Sequence, residues 1–170
     1  MVFCILLVGY GCRHKKESVK TVTKPKAEAK PGSVVFREKM GISSKEVKEN
    51  KLYSFISDWY GTPYKYGGCE KTGVDCSCFT INLFEKVYGR KIPRTAGEIY
   101  KECEKLKIEK ATEGDLIFFK INSKSITHVG VYLRDNKFVH ASTTRGVLVN
   151  SLTETYYQKY FYAAGKLKKK

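Results

Sequence analysis

Hydrophobic residues in the first half of the chain recur at spacings of three and four positions, which is typical of helices that bury one face. Three such stretches predict helices over about residues 45–59, 76–88 and 96–105. Each stretch follows a residue suited to cap a helix N-terminus, namely Ser43, Asp75 and Thr95. Gly89 is suited to end the second helix, because glycine readily adopts the left-handed conformation that follows a last helical turn.

The pattern changes after Gly114 and Asp115, where short runs of β-branched and aromatic residues are separated by Asn, Asp, Gly or Ser. We predict that these runs are strands of one sheet, at residues 116–119, 127–133, 137–141, 147–149 and 160–164. The helices precede the strands instead of alternating with them. The sequence therefore predicts an α+β fold with N-terminal helices packed on an antiparallel β-sheet.

The N-terminal residues lack this regularity and are expected to lie outside the folded domain. Residues 1–11 are uncharged, mostly apolar and shorter than the roughly 20 residues that a membrane-spanning helix needs. They resemble a bacterial lipoprotein signal peptide, in which a Cys after a small residue, here Cys12, receives the lipid. An uncleaved anchor, plain secretion and a cytosolic location are the alternatives.

We divide the rest of the chain into three segments by composition. Residues 12–43 are polar, rich in Lys and interrupted by Pro, which predicts a flexible tether. Residues 44–165 carry the predicted helices and strands and form the domain, and residues 166–170 are a basic tail. No internal repeat is visible.

The composition fits one folded domain and argues against nucleic-acid recognition. Of the 170 residues, 42% are hydrophobic and 29% are charged, which excludes collagen, coiled coil and wholesale disorder. The formal net charge is +15, but most of the excess lies in residues 13–43 and 166–170. A nucleic-acid-binding protein carries its basic face on the folded part, so we expect no nucleic-acid partner. These lysines either adhere to anionic lipid or wall polymer or keep the tether solvated.

The predicted domain contains four cysteines, Cys69, Cys76, Cys78 and Cys103. They include no C-x₂-C pair, so a structural zinc site is not expected. In an exported protein, two of them can form a disulfide, and Cys69 with Cys78 is one conceivable pair, although the sequence leaves the connectivity open. The other interpretation of Cys78 and Cys103 is that they are small buried hydrophobic residues.

Cys76 differs from the other cysteines because it follows the N-cap Asp75 and opens a predicted helix. The unpaired amides and the helix dipole favour an anion there, so we expect its thiol to ionise more readily than a free one. A cysteine nucleophile needs a base and a group that orients the base. The domain has two histidines, His128 and His140, on predicted neighbouring strands. Each alone is more often structural, but with Cys76 they form a candidate Cys-His-His site.

Six short motifs occur in an order and spacing that match a known family: YKYGG at 64–68, GVDCS at 73–77, IPR at 92–94, GDL at 114–116, HVGVY at 128–132 and FVHA at 138–141. Through them, about residues 50–165 resemble the NlpC/p60 family of cell-wall cysteine peptidases. The resemblance implies a papain-like α+β fold. It also implies that Cys76 is the nucleophile, His128 the general base and His140 the residue that orients this base.

The same resemblance assigns roles to residues around the nucleophile. It implies that Tyr64 lines the site and that Asp75 and Ser77 help to position the substrate. The oxyanion would be held by the backbone amide of Cys76 together with the Tyr64 hydroxyl. Cys78 departs from the family pattern, which usually has Gly at this position, so the details of the substrate subsites are not carried over.

The resemblance implies a peptidoglycan hydrolase that cuts stem peptides and needs no metal or organic cofactor. Family members that cut between D-Glu and the diamino acid often recognise a free N-terminal amine and commonly carry an accessory domain that narrows the cleft. We expect no such domain in these 170 residues. We therefore expect cleavage of D-alanyl–diaminopimelate crosslinks first and of the D-Glu–diaminopimelate bond second.

The expected location is the cell envelope, as an outer-membrane lipoprotein that faces the periplasm. The expected partners are peptidoglycan stem peptides and, through the lipid anchor, the membrane, with the protein itself a monomer. An acyltransferase or amidase that uses the same Cys-His pair is one alternative function. A catalytically silent wall-binding lipoprotein is the other.

Overall fold

A six-stranded sheet and the helices packed on it form the structure, a computed structural model that describes Met1 and residues 31–169. The helices are α1 (Pro31–Met40), α2 (Ser44–Glu49), α3 (Lys51–Trp59), α4 (Cys76–Tyr88), α5 (Ala96–Lys101) and α6 (Thr155–Tyr160). The strands are β1 (Cys69–Glu70), β2 (Gly73–Val74), β3 (Cys103–Leu106), β4 (Leu116–Phe119), β5 (His128–Tyr132), β6 (Lys137–Ser142), β7 (Gly146–Ser151) and β8 (Phe161–Leu167).

The sheet has the strand order β3-β8-β4-β5-β6-β7, and all neighbouring strands are antiparallel, while β1 and β2 form a separate ribbon. Helix α4 packs on β5 and β6, so the main hydrophobic core lies between the helices and one face of the sheet. A second cluster, which includes Phe119, Phe138 and Tyr157 of α6, covers part of the other face. The predicted α+β fold and its five predicted strands are confirmed.

The helix that carries Cys76 begins and ends at the predicted residues. It begins at Cys76 because the Asp75 carboxylate accepts a hydrogen bond from the Cys78 amide at 2.7 Å, which pairs a donor of the first turn. It ends at Tyr88 because Gly89 takes a left-handed φ of 65° and its amide bonds back to the last turn.

The first predicted helix is broken in two at Asn50. The Asn50 amide donates to the Glu46 carbonyl and closes α2, while its side-chain oxygen accepts from the Leu52 and Tyr53 amides and opens α3. Asn competes for backbone hydrogen bonds in this way, so it favours helix ends over helix interiors. The hydrophobic spacing continues across the break, which is why the sequence predicts one helix.

The prediction of a flexible tether is wrong for residues 31–43. Ten of these residues form α1, and the fully buried Phe36 contacts the rings of Tyr53 and Tyr60. Gly32 permits this docking, because a Cβ at that position would come within 2.6 Å of the Tyr60 carbonyl oxygen. Helix α1 has too few apolar residues to show a period, so its contacts with the rest of the domain determine its position.

Two segments near the end of the chain also differ from the prediction. The third helix ends at Lys101 instead of residue 105, because residues 103–106 pair with β8 as a strand. Lys166 and Leu167, expected in the basic tail, belong to β8 and pair with β3. Helix α6 was not predicted, because its tyrosine-rich sequence merges with the β-prone run that follows.

Residues 2–30 and residue 170 lie outside the described residues. The signal peptide, lipidation at Cys12 and the first part of the tether therefore remain predictions. Among residues 31–169, no helix is long and apolar enough to cross a membrane.

We predict that Phe36→Ala lowers the free energy of unfolding by about 3–5 kcal/mol, the usual cost of removing a fully buried Phe from a core. Val35→Ala on the exposed side of the same helix is the matched control and should change it by less than about 0.5 kcal/mol. Urea unfolding of both variants measures the difference. Equal, near-zero effects would mean that α1 does not pack on the domain in solution.

Candidate active site

Cys76 lies where the first turn of α4 meets β5. Its thiol is buried, with 7% of the residue exposed, and the Val129 amide of β5 is close enough to influence it. His128 is the residue next to Val129 and begins the strand. The helix start and the strand start therefore bring the predicted nucleophile and the predicted base into one region.

Burial determines the charge of the Cys76 thiol. Removal from water raises its pKa to about 11; the Val129 amide opposes this rise and the Asp75 carboxylate adds to it. The expectation that this thiol ionises more readily than a free one is therefore wrong. The amides at the helix start do favour the thiolate, but the loss of hydration outweighs them, so the thiol keeps its proton at neutral pH.

His128 and His140 contact each other across two neighbouring strands. His128 Nε2 lies 2.7 Å from His140 Nδ1, and both rings are buried. Burial lowers the pKa of His128 well below its ordinary value and that of His140 to about 4, so both imidazoles are neutral at neutral pH. Gly130 makes the close packing of these strands possible, because a Cβ there would lie 2.7 Å from the Phe138 ring.

Two adjoining cavities contain the candidate residues. A cavity of about 470 Å³ is lined by Cys76, and a cavity of about 210 Å³ is lined by His128 and His140. Tyr64 and Thr127 line both of them and mark the boundary. A peptide laid across this boundary would contact the thiol side and the imidazole side at once.

The backbone holds Tyr64 near Cys76, the predicted nucleophile. The Lys65 amide donates to the Val74 carbonyl at 3.2 Å and the Val74 amide donates to the Pro63 carbonyl at 3.0 Å. Val74 is two residues before Cys76, so this short bridge fixes Tyr64 next to the start of α4. Burial, followed by the nearby Cys76 and Asp75, raises the pKa of the Tyr64 hydroxyl, which therefore remains a hydrogen-bond donor.

Asp75 is surrounded by donors. Its Oδ1 accepts from the Cys78 amide, the Ser77 hydroxyl and Arg94 Nη1, and its Oδ2 accepts from the Gly67 amide at 3.1 Å and Arg94 Nη2 at 2.5 Å. Burial raises the pKa of this carboxyl, but Arg94 and the other donors outweigh burial and lower it overall. Asp75 and Ser77 both line the larger cavity, as does Arg94.

Sequence reasoning missed four residues of this region, Arg94, Asn150, Glu154 and Tyr157. Arg94 donates to Ser77 at 2.7 Å as well as to Asp75; it was noted within the IPR motif without a role. Asn150 Oδ1 lies 3.1 Å from His140 Nε2, and Tyr157 and Glu154 contact the same amide. A polar Asn at the end of the apolar run VLV was the available signal for Asn150.

Two of the other cysteines support the loop beside the site. Cys69 and Cys78 form a disulfide that ties the β1–β2 ribbon to the first turn of α4, which gives the connectivity that the sequence left open. Cys76 and Cys103 are free and buried, and the Cys103 thiol donates to the Ile99 carbonyl. Within residues 31–169, no group of three or more His, Cys, Asp or Glu side chains is placed to hold a metal ion.

A helix that starts with a buried cysteine, packed on an antiparallel sheet that carries two adjacent histidines, is the arrangement of papain-like α+β domains. The chain belongs to the NlpC/P60 family, because the model of that family matches residues 61–166. This match covers all of the residues that form the two cavities.

Individual relatives agree with this assignment. The chain is 39% identical over 117 residues to the probable endopeptidase NlpC homolog of Haemophilus influenzae, covering 69% of this chain and 62% of that protein. It is 34% identical over 116 residues to murein DD-endopeptidase MepS/murein LD-carboxypeptidase of Escherichia coli K12, covering 68% and 61%. The chain thus spans less than two thirds of the length of these two relatives.

Solved structures support the same fold. A crystal structure from Staphylococcus aureus, described as similar to a lipoprotein of the NLP/P60 family, has a TM-score of 0.64 at 28% identity. The match covers 76% of this chain and 43% of that one. The NlpC/p60 domain of the peptidoglycan hydrolase SagA has a TM-score of 0.60 at 26% identity and covers 69% of this chain and 97% of the SagA domain. The predicted papain-like fold is confirmed.

We predict that the rate of Cys76 alkylation by iodoacetamide rises about tenfold per pH unit between neutral pH and about pH 10. Only the thiolate reacts, and a thiol whose pKa is about 11 gains thiolate at this rate with pH. Peptide mapping by mass spectrometry separates Cys76 from Cys103, the buried internal control whose pKa is raised by burial to about 12. A rate independent of pH in this range would indicate a preformed thiolate–imidazolium pair instead.

Proposed function

We propose that the protein is a peptidoglycan hydrolase, a cysteine endopeptidase in which Cys76 is the nucleophile, His128 the general base and His140 the residue that orients His128. The observation that carries the proposal is the arrangement of three buried groups: a thiol at the start of α4, an imidazole at the start of β5, on which α4 packs, and a second imidazole 2.7 Å from the first. The peptidoglycan endopeptidases among its relatives support the substrate class.

The neutral state of these groups defines the chemical steps. His128 takes the proton of Cys76 as the sulfur attacks the peptide carbonyl, so a thioester forms and the C–N bond breaks. The protonated His128 then gives this proton to the leaving amine. A water molecule, activated by the same imidazole, releases the acyl group and restores the thiol. No step needs a metal or an organic cofactor.

The oxyanion of each tetrahedral intermediate needs donors near the thiol. The backbone amide of Cys76 at the start of α4 is one, since amides in the first helical turn have no partner within the helix. The Tyr64 hydroxyl is the second, because it lines both cavities and keeps its proton. Hydrogen bonds hold the backbone next to both groups, through the Lys65–Val74–Pro63 bridge and the Asp75 cap, so little reorganisation is needed during the reaction.

The hydrogen bonds that Asp75 accepts favour cleavage of crosslinks over cleavage of a stem peptide that is recognised by its free N-terminal amine. Both of its oxygens are occupied by donors, so it has no free lone pair for an ammonium group. Arg94 has five N–H donors and uses three of them on Asp75 and Ser77. Arg94 lines the larger cavity, where a further guanidinium N–H suits a carboxylate or carbonyl of the stem peptide. We propose the D-alanyl–diaminopimelate crosslink as the bond that is cut.

The proposed location is the cell envelope, with lipid on Cys12 and the domain facing the periplasm. The support is the composition of residues 1–12 and the cell-wall substrates of the relatives. Several acyl chains hold a protein firmly in a membrane, since each methylene buried in the bilayer contributes about 0.8 kcal/mol to the binding free energy. The intact mass of the chain from its native host tests this, because an unmodified Cys12 contradicts the anchor.

We predict that Cys76→Ala and His128→Ala each lower the rate of muropeptide release by at least about a hundredfold while circular dichroism remains unchanged. His140→Asn should have a milder effect than His140→Ala, because an amide still offers His128 a hydrogen-bond partner. Cys103→Ala is the matched control, since this free cysteine lies outside both cavities. Full activity in folded Cys76→Ala protein would disprove the mechanism.

We predict that the purified chain converts a crosslinked disaccharide-peptide dimer to monomers and leaves an uncrosslinked tripeptide with a free L-Ala amine intact. Mass spectrometry of the products measures both reactions. Release of L-Ala-D-Glu from the tripeptide with the dimer untouched would contradict the proposed bond. Products that carry an added amine would indicate an acyltransferase, and wall binding without any product would indicate a catalytically silent protein.

A further inference from the structure

Hydrogen bonds continue beyond His140 through the buried Asn150 and the half-buried Glu154, two residues that the Cys-His-His site does not include. His140 Nε2 lies 3.1 Å from Asn150 Oδ1. Asn150 Nδ2 in turn donates to both carboxylate oxygens of Glu154, at 2.9 and 2.8 Å, and the Ser151 amide donates to Glu154 Oε1 at 2.8 Å. An unbroken line of contacts therefore leads from Glu154 to His128.

Glu154 determines the direction in which these hydrogen bonds point. Burial raises the pKa of its carboxyl, but the hydrogen bonds from Ser151 and Asn150 outweigh burial and lower the pKa, so it is ionised at neutral pH. An ionised carboxylate only accepts hydrogen bonds. Asn150 must therefore turn its NH₂ group toward Glu154 and its oxygen toward His140.

The surroundings of the Asn150 oxygen favour the same orientation. The Tyr157 hydroxyl lies 3.2 Å from Oδ1 and Arg145 Nη2 lies 3.5 Å from it. Both groups can donate a hydrogen bond. A flipped amide would direct its own N–H groups at these donors and its oxygen at the Glu154 carboxylate, so this alternative orientation is disfavoured.

The donor-to-acceptor direction of these hydrogen bonds continues through both imidazoles. His140 Nε2 has two partners, the Asn150 oxygen and the Tyr157 hydroxyl, each at 3.1 Å. The oxygen can only accept, and the hydroxyl gives its one hydrogen to that oxygen, so His140 Nε2 carries a hydrogen and, in a neutral ring, His140 Nδ1 is bare. The neighbour of that bare nitrogen at 2.7 Å, His128 Nε2, must then be a donor. Because His128 is also neutral, its one hydrogen lies on Nε2 and its Nδ1 keeps a lone pair.

We propose that Asn150 and Glu154 are positioning residues that fix the tautomers of His140 and His128, so that His128 presents a bare Nδ1 as the base for Cys76. A buried thiol that keeps its proton needs such a base in every turnover. A His128 with its hydrogen on Nδ1 has no lone pair there and cannot take the proton. The catalytic consequence rests on the proposed function, whereas the tautomers are measurable on inactive protein.

The first experiment measures the tautomers directly. Two-bond ¹H–¹⁵N correlation spectra distinguish imidazole nitrogens that carry a hydrogen from bare ones. They are recorded at neutral pH on the 170-residue Cys76→Ala chain, with His14→Gln added to remove the third histidine. The expected result is a hydrogen on Nε2 and a bare Nδ1 in both rings. A hydrogen on Nδ1 of either ring overturns the proposal, whether or not any further variant folds.

The second experiment changes the acceptor at Glu154. Glu154→Ala removes this acceptor, so the Asn150 side-chain amide can rotate. A fraction of the two imidazoles should then carry hydrogen on Nδ1. The kcat should fall on the order of tenfold while KM remains unchanged. Glu154→Gln keeps an acceptor oxygen and should recover the Nε2–H state and most of the lost kcat. Glu46→Ala is the matched control, because Glu46 also accepts a backbone amide at a helix start but lies outside both cavities.

The outcomes separate this proposal from the proposed function. Unchanged tautomers in Glu154→Ala, or equal losses of kcat for Ala and Gln, overturn the positioning role and leave Glu154 a structural residue. Tautomers that respond as expected in a chain that releases no muropeptides uphold the hydrogen-bond direction and contradict the proposed function.

Discussion

The burial of one thiol and two imidazoles is the constraint on which the chemistry of this site depends. In a poorly hydrated site the charged forms of all three groups are disfavoured, so Cys76 keeps its proton while His128 and His140 remain neutral. In the proposed mechanism, proton transfer therefore has to accompany the attack of the sulfur. The identity of the nitrogen that carries each hydrogen then matters more than the overall charge of the site.

Asp75 holds together the part of the fold that buries Cys76. One carboxylate caps the helix that carries Cys76, holds the Gly67 loop and fixes Arg94 across the larger cavity. Breaking a partly buried pair of this kind leaves an uncompensated charge, which costs more than the pair itself contributes. The Cys69–Cys78 disulfide holds the neighbouring ribbon to the same helical turn. Cys76 is thus supported from two sides by contacts that have no part in the proposed reaction.

Different sets of contacts position the helix side and the sheet side of the site. The helix side supplies the thiol, Tyr64 and Arg94, and is positioned by backbone bridges and by the Asp75 cluster. The sheet side supplies the imidazoles, and its polar side chains extend beneath them to Asn150. The packing of α4 on β5 aligns the two sides, so this contact determines whether Cys76 and His128 can cooperate as proposed.

Local chemistry explains what the sequence by itself determined. An N-cap and a C-terminal glycine bound α4, and β-prone runs separated by turn residues give the neighbouring strands that carry His128 and His140. These signals lie within a few residues of the structure they produce. The break at Asn50 and the docking of α1 were not predictable in this way, because they depend on competition for backbone groups and on contacts with distant rings.

The tertiary structure alone decided the charge states and the outer residues of the site. Burial reversed the expected ionisation of Cys76, because the loss of hydration depends on the whole surrounding fold and not on the helix start. Asn150 reaches His140 only because β7 pairs with β6, and Glu154 reaches Asn150 because it lies between β7 and α6. Sequence spacing gives the positions of residues along an element, whereas hydrogen bonds between elements require the packed arrangement of all of them.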